Sequence, residues 1–192
     1  TSIGSNLFAV NNNATEYANN GGAESSTFTM WTAHGTGPVI SRYTTAGNNI
    51  ATGVGSVFVD TTSTANTGVK NTLTSTLTAN LKYKVSYTVR HTSSTTTFTT
   101  LDTYFSSDGT TASTACTTGS TATYNQWTRI DCTFTPTSVG ASNAILIRHS
   151  DAVEHDFYID NLSVTVSADA NHAVDGDVDS ALGSNWQAYD AD

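Results

Sequence analysis

From Tyr83 to Arg90 the chain alternates without a break. Tyr83, Val85, Tyr87 and Val89 are apolar or aromatic, and Lys84, Ser86, Thr88 and Arg90 between them are polar. A period of two places the first set on one face of a β-strand and the second on the other, and it leaves a helix no apolar stripe to bury. Similar short runs recur at 28–34, 39–44, 55–61, 69–77, 97–105, 126–135, 143–149 and 156–166, separated by Gly, Asn, Asp and Ser. Strands at this spacing, about eleven in all, predict two packed antiparallel sheets rather than βαβ units. Threonine is the commonest residue, while Lys, Glu and Leu are scarce. β-Branched Thr has a stiff χ1 that suits the solvent face of a strand. The expected class is all-β.

One strand breaks phase in an informative way. Phe157 and Ile159 are odd-numbered, whereas Leu162, Val164 and Val166 are even-numbered. The apolar face therefore slips near Asp160 and Asn161, which predicts a β-bulge that re-aims both side chains.

Charge excludes some partners. The net charge is −9 with 7 Lys+Arg, so no basic patch is on offer for nucleic acid or for an anionic membrane surface. No apolar run approaches the length of a membrane span, so membrane insertion is not expected. The chain opens on Thr1 rather than Met, as it would after removal of an export signal or after a cut. Cys116 and Cys132 lie 16 positions apart in strand-like contexts. They read as a disulfide closing the hairpin between them, which fits an extracellular protein, or else as two buried thiols. The acids are scattered in turns rather than paired in one cleft as a glycosidase requires, so no enzyme is expected.

A repeat sets the domain boundaries. A shift of 155 positions lays Gly21 on Gly176, Glu24 on Asp179, Ser25 on Ser180, Trp31 on Trp186 and Ala33 on Ala188. Residues 1–167 are then one complete β-sandwich module, and 168–192 are a linker and the incomplete start of a second copy. The acidic run from Asp169 to Asp179 lacks EF-hand spacing and reads as solvated linker.

Several segments, in order along the chain, resemble carbohydrate-binding modules of the family 4/9/22 type, which have a galactose-binding-like fold. These are Asn20-Gly-Gly-Ala-Glu24 followed by Trp31, the strand 81–90, Trp127-Thr-Arg-Ile-Asp-Cys-Thr-Phe134, and Phe157-Tyr-Ile-Asp-Asn-Leu-Ser-Val164. The resemblance spans roughly 5–166, with Ala23 where the family has Phe. It implies a jelly-roll β-sandwich, a non-catalytic role in binding polysaccharide or glycan, and an extracellular setting in a larger multi-module protein.

The resemblance further implies a structural Ca²⁺ held by Glu24 and Asp160, pinning the first strand to the last. Ca²⁺ prefers carboxylates together with the carbonyls that irregular backbone exposes, as a slip at Asp160 would supply. The alternative is a carboxylate accepting turn amides. Sugar binding on a sandwich requires aromatic faces and planar polar groups. Tyr43, Arg90, Tyr104 and Arg148 are the candidates, whereas Tyr87 and Trp127 are expected to pack inside. His149 with Glu154-His155-Asp156 reads as an exposed loop. A second reading makes the chain a structural module of an extracellular filament, tail or virion appendage, joined to neighbouring copies through strand contacts.

Overall fold

The computed structural model describes residues 15–92 and 98–167. The expected second-copy start at 168–192 lies outside them, as does Asp179. Ten strands follow in chain order: β1 (Trp31–His34), β2 (Val39–Tyr43), β3 (Ser56–Asp60), β4 (Gly68–Thr72), β5 (Tyr83–His91), β6 (Phe98–Ser106), β7 (Thr114–Ala122), β8 (Thr128–Phe134), β9 (Ala144–His149) and β10 (Phe157–Val166). They form two five-stranded sheets, β1-β4-β9-β6-β7 and β2-β3-β10-β5-β8. Every paired neighbour is antiparallel. The class is the expected all-β sandwich.

The alternation in β5 does what a period of two demands. Tyr83, Val85, Tyr87 and Val89 all lie in the core. Val57 and Val59 of β3 and Phe157 and Ile159 of β10 join them from the same sheet, while Leu101, Phe105, Ile145 and Ile147 come from the other. Phe134 stacks on Phe105 and Tyr83 at centroid separations of 5.1 and 5.7 Å. The Tyr87 hydroxyl meets the Thr103 hydroxyl at 2.7 Å across the buried interior. This satisfies a polar group that would otherwise cost a few kcal/mol to bury.

The phase slip in β10 is where the sequence places it. The register against β5 shifts between Asp160 and Ser163, and Asn161 adopts φ 57°, a left-handed conformation that Asn tolerates better than most residues. After the bulge Leu162 and Val164 return to the core.

The bulge also receives residues 16–21. Leu162 N–H donates to Gly21 O at 3.1 Å, and Tyr17 N–H donates to Val164 O at 2.8 Å. Glu16 accepts from Val164 N–H at 2.7 Å. Contact at Gly21 is so close that an added Cβ would lie 1.8 Å from Leu162 O, so no larger residue fits.

Two expectations are corrected by geometry. Strand β7 was expected only as a strand-like context for Cys116, without bounds. Its run Thr-Ala-Cys-Thr-Thr-Gly-Ser-Thr-Ala is exposed or half-buried up to Ala122 and its register against β6 is repeatedly shifted, so it carries no apolar alternation to detect. The disulfide Cys116–Cys132 is present, but it does not close a hairpin. β7 pairs with β6 in one sheet and β8 with β5 in the other, so the bond ties the edges of the two sheets together.

A loop closed over this 16-residue separation is worth about 3 kcal/mol in the chain-entropy model. Replacing both cysteines by serine is expected to lower unfolding stability by about that amount in a urea titration. Equal midpoints for the variant and the oxidised wild type would contradict this.

Candidate functional site: an aromatic face beside an acid pair

On the sheet β2-β3-β10-β5-β8, the residues out of phase with the core form a continuous outer row. Ser41 is opposite Phe58, Phe58 opposite Tyr158, and Tyr158 opposite Arg90. Thr128 pairs with Val89, so Trp127 extends the row beside Arg90. Tyr43, in the next row, meets Tyr158 edge-on at 5.2 Å, and Phe58 lies 4.8 Å from Tyr158. Four aromatic rings therefore line one face around the Arg90 guanidinium.

That guanidinium is held from two sides. Arg90 is 6% exposed; its Nη1 donates to Asn49 Oδ1, and its Nη2 donates to Asn125 Oδ1 at 2.6 Å. Its Nε is buried without a partner. Asn49 also donates through Nδ2 to the Tyr158 hydroxyl at 3.1 Å. Trp127 Nε1–H donates to Asn48 O at 3.0 Å. Burial pushes the Tyr158 phenol up, the Tyr43 ring adds to this, and Arg90 opposes it.

The four residues expected to bind sugar do not form one site. Tyr43 and Arg90 lie on this face, whereas Tyr104 of β6 and Arg148 of β9 lie on the outer face of the opposite sheet. There the Arg148 guanidinium carbon sits 4.7 Å above the Tyr104 ring. His34, nearby, is lowered by burial and then by the charges of Arg148 and Lys70. Trp127 is not in the core as expected but half-buried on this outer aromatic face. Phe58 and Tyr158 were missed, although each stands at an outward phase of a legible strand. Tyr87 packs inside as foreseen.

The acid pair forms. Gly22 separates the two side chains: its Cβ position would lie 3.2 Å from both Asp160 Oδ1 and Glu24 Oε1. Asp160 Oδ2 accepts from Ala51 N–H at 2.9 Å and Thr52 N–H at 3.0 Å, and Oδ1 accepts from Asn161 N–H at 2.7 Å. Glu24 Oε2 accepts from Val54 N–H at 2.7 Å. Asp160 has no exposed surface. Burial raises its pKa, the backbone amides work against this, and the charge of Glu24 raises it further. Among the described residues no group of three or more His, Cys, Asp or Glu side chains could hold a metal, so further oxygens here would come from backbone.

The histidines overturn an expectation. His149 and His155 are buried rather than loop-exposed. Asp151 bridges them, accepting from His149 Nδ1 at 3.1 Å and His155 Nε2 at 3.0 Å. The second nitrogen of His149 meets Thr67 Oγ1 at 2.7 Å, and Phe98 stacks on His155 at 4.3 Å. His149 ends β9 and the loop that follows brings Asp151 and His155 back against it, a return that no spacing rule announces.

A face of aromatic and planar polar groups on a β-sandwich is chemically suited to stack on sugar rings and bond their hydroxyls. The carbohydrate binding domain family CBM_4_9 matches residues 15–154, and the chain belongs to it. Solved structures agree on the fold. The CBM22-1 xylan-binding domain of Paenibacillus barcinonensis Xyn10C is 14% identical, covers 79% of this chain and 92% of its own, and superposes with a TM-score of 0.60. The CBM22-1–GH10 modules of Clostridium thermocellum xylanase 10B, complexed with xylohexaose, are 19% identical at a TM-score of 0.61. They cover 80% of this chain but 28% of that longer one. A cyclase from Fischerella sp. TAU is 14% identical, covers 80% and 98%, and has a TM-score of 0.58, so the fold hosts chemistry elsewhere. No curated protein matches the chain by sequence.

Burial alone would raise the Asp151 carboxyl, but hydrogen bonds from His155 and His149 outweigh it and hold it below its ordinary 3.8. A depressed carboxylate contributes stability that is present above the unfolded value and lost as pH falls through the folded one. Asp151→Ala is therefore expected to destabilise the protein by about 1–3 kcal/mol at pH 7, since it strands buried ring N–H groups. The difference from wild type should shrink once pH drops below 3.8. Denaturation curves at several pH values check this; a constant difference would refute the charge-linked part.

Proposed function

We propose that the chain is a non-catalytic, extracellular glycan-binding module. Its ligand is a polysaccharide of the xylan type, held along the outer face of β2-β3-β10-β5-β8. The observation that carries this is the row Phe58–Tyr158–Arg90–Trp127 with Tyr43 beside it. Flat rings suit the apolar faces of pyranoses, and fixed amide and guanidinium groups suit their hydroxyls. The disulfide supports export to an oxidising compartment, and the family supports membership of a multi-module protein. Among the described residues no helix is long and apolar enough to cross a membrane.

A structural Ca²⁺ belongs to the same reading. Asp160 is a buried carboxylate with a second carboxylate facing it across Gly22, an arrangement whose like charges a cation would relieve. Both are hard oxygen donors, and the left-handed residues Ala23 and Asn161 make the backbone beside them irregular; the Ala23 and Glu24 carbonyls accept from Arg42, so the remaining ligands would be neighbouring carbonyls. Glu24 and Asp160 would hold the ion; bound there, it would supply charge neutralisation and a tie between the chain's start and β10.

One observation favours a structural module in an extracellular assembly. β7 is a nine-residue edge strand without a charged side chain, which offers its free side for strand addition by a neighbouring copy.

Tyr43→Ala and Trp127→Ala are each expected to weaken binding of xylohexaose about tenfold, one aromatic contact of roughly 1.4 kcal/mol, by isothermal calorimetry. Tyr104→Ala should leave it unchanged. Loss of binding in Tyr104→Ala alone would move the ligand to the other sheet, and concentration-dependent self-association with no glycan retained would favour the assembly reading. For the ion, chelator should lower the melting temperature of wild type and leave that of Asp160→Ala unaffected. A wild type indifferent to chelator would remove the calcium.

A further inference from the structure

Residues 48–54 touch both features just described, and the two contacts lie on opposite ends of one short loop. At one end the backbone amides of Ala51 and Thr52 bind Asp160, and that of Val54 binds Glu24. The Thr52 hydroxyl donates to Asn161 Oδ1 at 2.6 Å, so the loop grips the bulge itself. Gly53 permits the approach: a Cβ there would sit 2.1 Å from Glu24 Oε1. At the other end Asn48 O receives the Trp127 indole, while Asn49 accepts from Arg90 and donates to Tyr158. The Ser56 hydroxyl closes the base by donating to Asn49 O at 2.7 Å.

We infer that Asn49 is a positioning residue through which the acid pair sets the geometry of the ligand face. The inference rests on the glycan-binding reading above and adds to it a coupling between cation and sugar. Its physical basis is short. The oxygens of Asp160 and Glu24 that face each other across Gly22 repel when both are charged, and their other oxygens hold the loop by three amide contacts, from Ala51 and Thr52 to Asp160 and from Val54 to Glu24. Any change in the spacing of the two carboxylates moves residues 51–54. Two residues earlier, Asn49 transmits that movement to Arg90 and Tyr158, and Asn48 transmits it to Trp127.

Arg90 gives the coupling its reach. The guanidinium has two amide oxygens as partners and a buried Nε without one, so no carboxylate among the described residues fixes it in place. Its position depends on Asn49 and Asn125, and Asn49 lies two residues before the first loop amide that binds the acid pair. A cation at Glu24 and Asp160 would therefore bind together with the glycan, and by reciprocity the glycan would tighten the cation.

The test uses the full chain, Ca²⁺ alone and xylohexaose as probes. In wild type, adding Ca²⁺ to chelator-treated protein should shift the Trp127 indole N–H resonance, assigned by loss in Trp127→Phe. It should also raise xylohexaose affinity about tenfold, within the usual range of site–site coupling. Asn49→Ala should bind sugar more weakly and lose the calcium dependence of that binding, while its melting temperature still rises with Ca²⁺. Asn49→Asp keeps the acceptor for Arg90 and should recover part of the coupling. An Asn49→Ala protein whose sugar affinity still follows Ca²⁺ as in wild type overturns the inference. So does a wild type in which Ca²⁺ leaves the indole resonance unmoved. If wild type binds no glycan in Ca²⁺, the ligand reading fails by itself, and the indole shift in the absence of sugar decides the coupling.

Discussion

Asp160 carries a carboxylate with no solvent contact, and three backbone amides are what make that burial tolerable. Taking such a group out of water is expensive unless hydrogen bonds replace the hydration. The bulge in β10 is the device that supplies them. It turns the Asp160 carboxylate toward residues 51–52 and leaves Asn161 left-handed beside them. It also lets residues 16–21 lie down on Leu162 and Val164. The ladder of β10 with β5 and β3, the seating of residues 16–24 and the position of the loop over the aromatic face all depend on that irregularity.

Much of this was legible. The period-two pattern in 83–90 fixed which side chains face inward, and all four fall in the core. The parity change between Ile159 and Leu162 located the bulge to within the residues where the register shifts. Both signals work because burial on one face of a strand admits no one-residue slip. The bounds of strand β7 escaped because its residues are small, polar and exposed on a sheet edge, where burial imposes no pattern. The disulfide was legible as a pair but not as a link between sheets, since the sequence does not say which edge each cysteine occupies.

The aromatic face shows the limit more sharply. Alternation states that Arg90 and Arg148 both point outward; it cannot state that they point away from each other. That information lies in strand order, β2-β3-β10-β5-β8 against β1-β4-β9-β6-β7, which arises from pairings between strands far apart in the chain. Tyr158 and Phe58 were passed over for the same reason: each is one outward residue in its own strand, and they become a surface only through register. The burial of His155 was not legible because a loop residue's burial depends on what folds over it, whereas His149 ends β9 and its burial follows from the strand.

The two sheets are joined covalently along both of their long sides. On one side the chain passes from β1 to β2 through residues 35–38, and on the other Cys116–Cys132 spans β7 and β8. A sandwich bound at one side can open like a hinged cover, exposing its interior while each sheet stays whole. Bound at both, it has no such motion available. Water must enter from the ends of the strands, where the loops lie, so that fluctuations too small to unfold a sheet leave the central residues dry.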